Sequence, residues 1–389
     1  MHTHVTLKSN FVDFVVRGQG EHTLLEFLKA QRKGDGFDGI LGLSYKYGDE
    51  IIDNPPRPLV SPDELPERLP YHKIEPQYYL HSSFLGKRTA AHHTSMGCPF
   101  SCNFCGVISV FGSREKIASP ARTERALHYL KTEFGVDSIQ FFDNNFFLGE
   151  NHASELCERI RPLGLKWWCE ARIDILLRYS DATWRKIRDA GCKMIYSGAE
   201  SGSEQSLREM NKKLTREQII ELTYRAKEYD IIPEFSFMFG NPRDPLGDAL
   251  ATIDLIYQLK EIHPRCEIIV YHFTPTPQRR GSYGNIAEQN PYPETLEEWA
   301  TPQWIRFASH HNPTVPWLRA DLLSWLRNFE TVIQCRWPTI QDYRLTPMTR
   351  RLLQALADWR YRSRFFHFPI ELKIAKRAVT LRNPRAESL

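Results

Sequence analysis

Between Ala90 and Phe273, short apolar runs alternate with stretches whose apolar residues recur at helical spacing. This alternation narrows the fold more than any other property of the 389-residue chain. The predicted strands are Ala90–Ser95, Ser138–Phe142, Lys166–Glu170, Met194–Gly198, Glu234–Phe239 and Glu267–Phe273. Between them the spacing predicts helices over Thr123–Phe134, Ala153–Arg161, Asp181–Ala190, Arg216–Tyr229 and Asp248–Ile262. Asp181 and Thr215 read as helix N-caps, since a short polar side chain there can take an orphan backbone N–H. Repeated strand-then-helix units wind a parallel sheet, so the fold class is α/β. Six strands with five intervening helices fit a partial (β/α)6 TIM-like barrel better than a closed eightfold one. In such barrels the chemistry gathers at the C-terminal strand ends, where the loops converge.

Just after the first predicted strand comes Cys98-Pro99-Phe100-Ser101-Cys102-Asn103-Phe104-Cys105. This C-x3-C-x2-C pattern puts three soft thiolates on one short loop. A structural zinc wants four ligands, usually gathered as two pairs. Three thiolates suit an iron–sulfur cluster that keeps one iron open. A zinc loop borrowing His92 or His93 is the competing reading. Phe104, just before the third cysteine, offers a flat surface to a planar ligand beside the cluster.

At these residues the chain resembles the radical S-adenosylmethionine superfamily, whose C-x3-C-x-aromatic-C loop holds a [4Fe–4S] cluster. The resemblance implies that Cys98, Cys102 and Cys105 ligate the cluster and that the open iron is chelated by S-adenosylmethionine. Reductive cleavage then yields a 5′-deoxyadenosyl radical. Tyr196-Ser197-Gly198-Ala199-Glu200-Ser201-Gly202-Ser203 with Leu207, Met210 and Lys212 is similar to the G-x-E-S-G-S…L…M-x-K block of the cobalamin-associated class. In that class the glutamate lies near the polar parts of S-adenosylmethionine, so Glu200 and Ser201 become candidate cofactor-binding residues. Arg172, after the third strand, could pair with the methionine carboxylate, where a planar fork serves better than a point charge. Glu170 and Asp174 could instead hold Arg172 in a structural salt bridge. Asp143 at the end of strand two could orient ligand or substrate, or cap a loop. Gly240 at the end of strand five matches the family's terminal glycine and would let the adenine side approach backbone.

Gly18-Gln19-Gly20-Glu21 is similar to the V-R-G-E-G-E sequence that ends the cobalamin-binding domain of that class, with Gln19 in place of the first glutamate. Only 17 residues precede it, and the D-x-H-x-x-G loop that would offer cobalt a histidine occurs nowhere. Direct cobalamin binding is therefore doubtful for this chain, and supply by another chain is the alternative. The domains expected are residues 1–54, a remnant of a cobalamin-binding-like α/β domain; 55–85, a Pro-rich connector; 86–290, the barrel; and 291–389, a helical module rich in aromatic and basic residues.

The rest of the sequence sets limits. Hydrophobic residues make up 41% and charged ones 25%, ordinary for a soluble protein, and a net charge of +4 makes no case for nucleic acid. No apolar run is long enough to span a bilayer. The five cysteines outside the loop are scattered, which suits a reducing cytoplasm. From Arg344 to Leu389 there are eleven Lys or Arg against three acids, interleaved with Phe365, Phe366, Phe368, Ile370, Leu372 and Ile374. That stretch could lie on anionic lipid at the inner membrane face, dock an acidic partner, or be a solvated face.

The expected function is that of a radical S-adenosylmethionine enzyme abstracting hydrogen from an unactivated carbon of a small, apolar substrate. Methylation or oxidative rearrangement or cyclisation would follow. A low-potential reductant such as flavodoxin or ferredoxin is implied. The alternatives are a methylthiotransferase acting on tRNA and a non-catalytic iron–sulfur protein for electron transfer or regulation. The first would need a further cysteine set and an RNA-binding barrel, neither visible here. The second has little use for a ligand-binding barrel mouth.

Overall fold

A computed structural model describes residues 3–275, 283, 292–308, 315–342 and 345–382. Its centre is a sheet of six parallel strands in strictly sequential order. These are β1 (Thr89–His92), β2 (Ser138–Phe141), β3 (Lys166–Glu170), β4 (Cys192–Glu200), β5 (Ile232–Phe239) and β6 (Glu267–His272). Each neighbouring pair is parallel, and β1 and β6 are the two edges. Five long helices connect them: α1 (Pro120–Phe134), α2 (Glu150–Ile160), α3 (Asp181–Asp189), α4 (Arg216–Glu228) and α5 (Pro245–Ile262). The chain thus folds as the partial (β/α)6 barrel that its periodicity predicts. Strand residues alternate between the helix layer and the barrel interior. Trp167 and Cys169 join the large outer core, while Trp168 packs with Met194 and Ile232 inside.

Local chemistry explains the boundaries, including two that differ from expectation. Thr215 caps α4 in a full capping box with Gln218. Helix α3 is capped by Ser180 rather than Asp181: the Ser180 hydroxyl accepts from Thr183 N, and Asp181 becomes the first helical residue. There its charge suits the positive end of the helix and pairs with Arg225 at 2.7 Å. The expected strand Ala90–Ser95 is split. Only Thr89–His92 joins the barrel, and Ser95–Gly97 turns away to pair antiparallel with Glu115–Ile117.

Ahead of the barrel, Phe14–Val16, Leu43–Tyr47 and Glu50–Asp53 form a three-stranded antiparallel sheet. Helix Glu21–Lys33 covers it through Phe27, which packs against Phe14 and Phe37. The Pro-rich connector holds only 3₁₀ turns at Pro62–Glu64, Tyr71–Lys73 and Pro76–Tyr78, as its prolines require. After the barrel, α6 (Ala320–Arg336), α7 (Pro347–Ser363) and α8 (Ile370–Arg382) pack together. They meet the barrel through Phe329 on Phe239 and through Tyr361, stacked 4.3 Å from Tyr257. The segment after α6 reaches the barrel interior, where Ile340 packs with Trp168 and Met194, and Gln341 donates to Glu234.

Candidate functional site

The cysteine loop is held from three sides. Asp143, at the end of β2 and fully buried, turns one carboxylate oxygen to the backbone and hydroxyl groups of Thr94 and Ser95. This capture ends the β1 ladder and swings the chain into the loop. Gly97 sits at φ +86, where a Cβ would lie 2.2 Å from the Arg114 carbonyl, so the loop can fold against its hairpin partner only through glycine. Cys98 N then donates to Arg114 O at 3.0 Å. On the far side Asn103 donates from its backbone to Met210 O and from its side chain to Glu209 O, while Asn211 donates to Ser101 O.

Cys98, Cys102 and Cys105 all line one cavity of about 460 Å³ at the C-terminal ends of the strands. Burial pushes the Cys98 and Cys105 thiols up, so they ionise only beside strong positive charge. Among the described residues no three His, Cys, Asp or Glu side chains close on a single metal ion. Neither His92 nor His93, the ligands a zinc loop would borrow, lines the cavity. His92 is half-buried beside Phe141, its imidazole pushed down to about 4 by loss of solvation, and His93 lies beside Phe142. Three soft thiols on one cavity wall are the donor set an iron–sulfur cluster uses.

Arg172 is committed on several edges. Its Nε donates to Asp174 at 2.9 Å, one Nη to the Lys212 carbonyl at 2.9 Å and the other to Cys102 Sγ at 3.5 Å. The guanidinium also lies 3.8 Å from the centre of the Phe100 ring. Of the two acids that could have held it, Asp174 does and Glu170 does not. Its geometry fastens the cysteine loop to β3 and sets positive charge beside the Cys102 sulfur.

Across the cavity, β4 ends in a bulge: Ser236 pairs with Gly198, then Phe237 with Glu200, leaving Ala199 out of register. Glu200 emerges at φ 64, a left-handed conformation unusual for glutamate. Its carboxylate accepts from Lys212 Nζ at 2.7 Å, both side chains nearly buried. Gly198 lies directly beneath this pair, and a Cβ there would come within 2.1 Å of Glu200 and 2.8 Å of Lys212. Phe104 shares this wall and packs with Met210, Met238 and Phe273. Deeper in the same cavity lie Glu170, Tyr196 and Tyr271. Burial and nearby Asp143 push the Glu170 carboxyl up to about 7.

Of the residues singled out from sequence, the three cysteines, Phe104, Arg172 and Glu200 share the cavity wall. Asp143, Ser201 and Gly240 do not line it. Asp143 holds the turn into the loop. Ser201 is fully buried and donates to Asp248. Gly240 offers its carbonyl to Trp317 Nε1 at 2.8 Å. The sequence reading passed over Lys212, Glu170 and Tyr196 as site residues. The M-x-K block carried a signal for Lys212, and Trp168/Glu170 and Met194/Tyr196 share the strand alternation that points inward.

The family model of the radical S-adenosylmethionine superfamily matches residues 93–256. The chain is 33% identical over 251 residues to an uncharacterized methyltransferase of Pyrococcus horikoshii, covering 64% of this chain and 53% of that protein. It is 23% identical over 341 residues to the anaerobic magnesium-protoporphyrin IX monomethyl ester cyclase of Synechocystis, covering 86% of this chain and 64% of that one. The chain thus spans between half and two thirds of the length of these curated relatives. Among solved structures, the cobalamin-dependent S-adenosylmethionine radical enzyme OxsB, with aqua-cobalamin and S-adenosylmethionine bound, matches with a TM-score of 0.65 at 18% identity. That match covers 90% of this chain and 55% of OxsB. At such identity the likeness is one of fold.

Proposed function

The chain carries a radical S-adenosylmethionine domain, and from that premise we propose an enzyme that abstracts hydrogen from an unactivated carbon of a small, largely apolar molecule. The observation that carries this reading is that three thiols, Cys102 buried and Cys98 and Cys105 half-buried, open onto one cavity with the Glu200–Lys212 pair and Phe104. Cys98, Cys102 and Cys105 hold a [4Fe–4S] cluster in this reading, which with S-adenosylmethionine supplies a 5′-deoxyadenosyl radical. Arg172 keeps Cys102 in place and sets a positive charge beside its sulfur. Glu200 and Lys212 present opposite charges to the zwitterionic amino-acid end of S-adenosylmethionine. Phe104 and Phe273 close the cavity around an apolar body and exclude water. Methylation or oxidative cyclisation would complete the reaction. A low-potential reductant of the flavodoxin or ferredoxin kind would supply the electron.

Location belongs to the same proposal: the cytoplasm, with peripheral contact at the inner membrane face through the basic C-terminal region. No described helix is long and apolar enough to cross a membrane. The test of the chemistry is anaerobic. The protein is loaded with iron and sulfide, given dithionite and S-adenosylmethionine, and assayed for 5′-deoxyadenosine with and without cobalamin. Its formation is expected. S-adenosylhomocysteine formed only with cobalamin identifies methyl transfer. A loaded cluster that binds S-adenosylmethionine and yields no 5′-deoxyadenosine overturns the reading.

A further inference from the structure

The end of α7, the turn after it and the start of α8 expose a continuous aromatic string. Trp359 stacks 5.9 Å from Phe365, Phe365 lies 5.6 Å from His367, and His367 lies 6.4 Å from Phe368. Phe368 is 77% exposed and sits at φ 47, so the backbone takes a left-handed turn that leaves a bulky side chain in water. The outward face of α8 continues the patch with Ile370 and Ile374, 61% and 62% exposed. Lys373 and Arg377 share that face at helical spacing.

The charge around the patch is one-sided. Its two acids are already engaged: Asp358 by Arg336 and Arg362, and Glu371 by Arg360. Lys373 and Arg377 have no ion-pair partner among the described residues. A monomer gains nothing from holding Trp359, Phe365, Phe368, Ile370 and Ile374 in water beside unopposed cations. Apolar side chains rimmed by lysine and arginine on a helix face suit an anionic bilayer surface, where the rings enter the headgroup layer and the cations meet phosphates.

We infer that this face docks the protein onto anionic membrane, with Phe365 and Phe368 at its tip entering the lipid and Lys373 and Arg377 pairing with headgroups. The inference deepens the location given above and does not depend on the radical chemistry. An acidic redox protein is the weaker fit, because such contacts are small, wet and polar, whereas this patch is dominated by rings and branched aliphatics. A groove beside the patch supports lipid. His367, Trp325, Leu322 and Trp317 line it beside the charged Arg243, Asp244, Arg319 and Asp321, and Trp317 packs 6.2 Å from Phe273 of the cysteine-lined cavity. Docking would bring this groove, and through Trp317 the neighbourhood of the site, against the membrane that holds apolar substrates.

The test uses the full chain and co-sedimentation with phosphatidylglycerol–phosphatidylcholine vesicles, against phosphatidylcholine alone, at low and high salt. Binding to the anionic vesicles only, weakened by salt, is expected. K373E/R377E should reduce it by about tenfold or more, on the order of one kcal/mol per cation near the surface, and Phe368→Ser should weaken it at every salt concentration. These side chains are exposed, so thermal melting and 5′-deoxyadenosine formation in solution should not change. A failure of docking and a failure of the chemistry are therefore read separately. No binding to either vesicle overturns the inference, as does binding that both variants leave intact. So does a dimer in sedimentation velocity that Phe368→Ser dissolves, which would make a second copy the occupant.

Discussion

Glu234 allows the barrel interior to be tested by pH. It sits on β5, 2% exposed, and accepts from Trp168 Nε1 at 2.7 Å and from Gln341. Burial pushes its carboxyl from 4.5 up to about 7. Glu267 and Glu170 push the same way, and the hydrogen bonds from Trp168 and Gln341 only partly oppose them. The unfolded chain therefore releases this proton near 4.5 and the folded chain near 7, so the folded state binds more protons in between. Stability from this site is intact below the lower value, falls as pH rises, and above the upper value is reduced by about 3 kcal/mol, at about 1.4 kcal/mol per unit. Glu234→Gln keeps the shape and an acceptor for Trp168, while the Gln341 amide can turn to match. The variant should be more stable than the natural protein by about 3 kcal/mol at about pH 8 and by only about 1 kcal/mol at about pH 5. Anaerobic urea denaturation at both values measures the difference. An equal gap at the two pH values would show that Glu234 does not carry a buried charge and refute the reasoning.

Cys102→Ala should abolish cluster loading, read as iron and sulfide content after anaerobic reconstitution, and full retention would remove Cys102 from the ligand set. Glu200→Gln should keep the cluster but weaken S-adenosylmethionine binding by about 1–3 kcal/mol in titration calorimetry, the range for losing a charge-assisted hydrogen bond. Gly198→Ala must displace the Glu200–Lys212 pair, because its Cβ would stand 2.1 Å from the carboxylate. Its expected cost is about 1–3 kcal/mol in binding or stability, the usual range for a substitution that disrupts a buried pair. Natural affinity together with a natural melting point would mean that the pair can move aside freely.

How legible the site was follows from what kind of information each residue carries. The C-x3-C-x2-C spacing lies within one loop, so the candidate ligand set could be read without knowing the fold. Thr215 and Gln218 make a capping box through contacts three residues apart. Ser201 and Gly240 sat in recognisable motifs, yet their partners, Asp248 and Trp317, come from distant parts of the chain, and those contacts appear only in the folded structure. Asp143 is similar: nothing local tells that its carboxylate reaches back 49 residues to Thr94.

The sequence by itself determined the order and type of the barrel elements and the three thiols, because strand and helix periodicity and loop spacing are local properties. Tertiary structure alone decided which charges face which. Arg172 could be assigned to Asp174 and Cys102 rather than to Glu170 only once β3, the cysteine loop and the turn carrying Lys212 were packed together. Glu200 could be aimed at Lys212 only through the bulge that β5 imposes on β4. Electrostatics and register depend on distances across the fold, and one chain read in order holds no record of them.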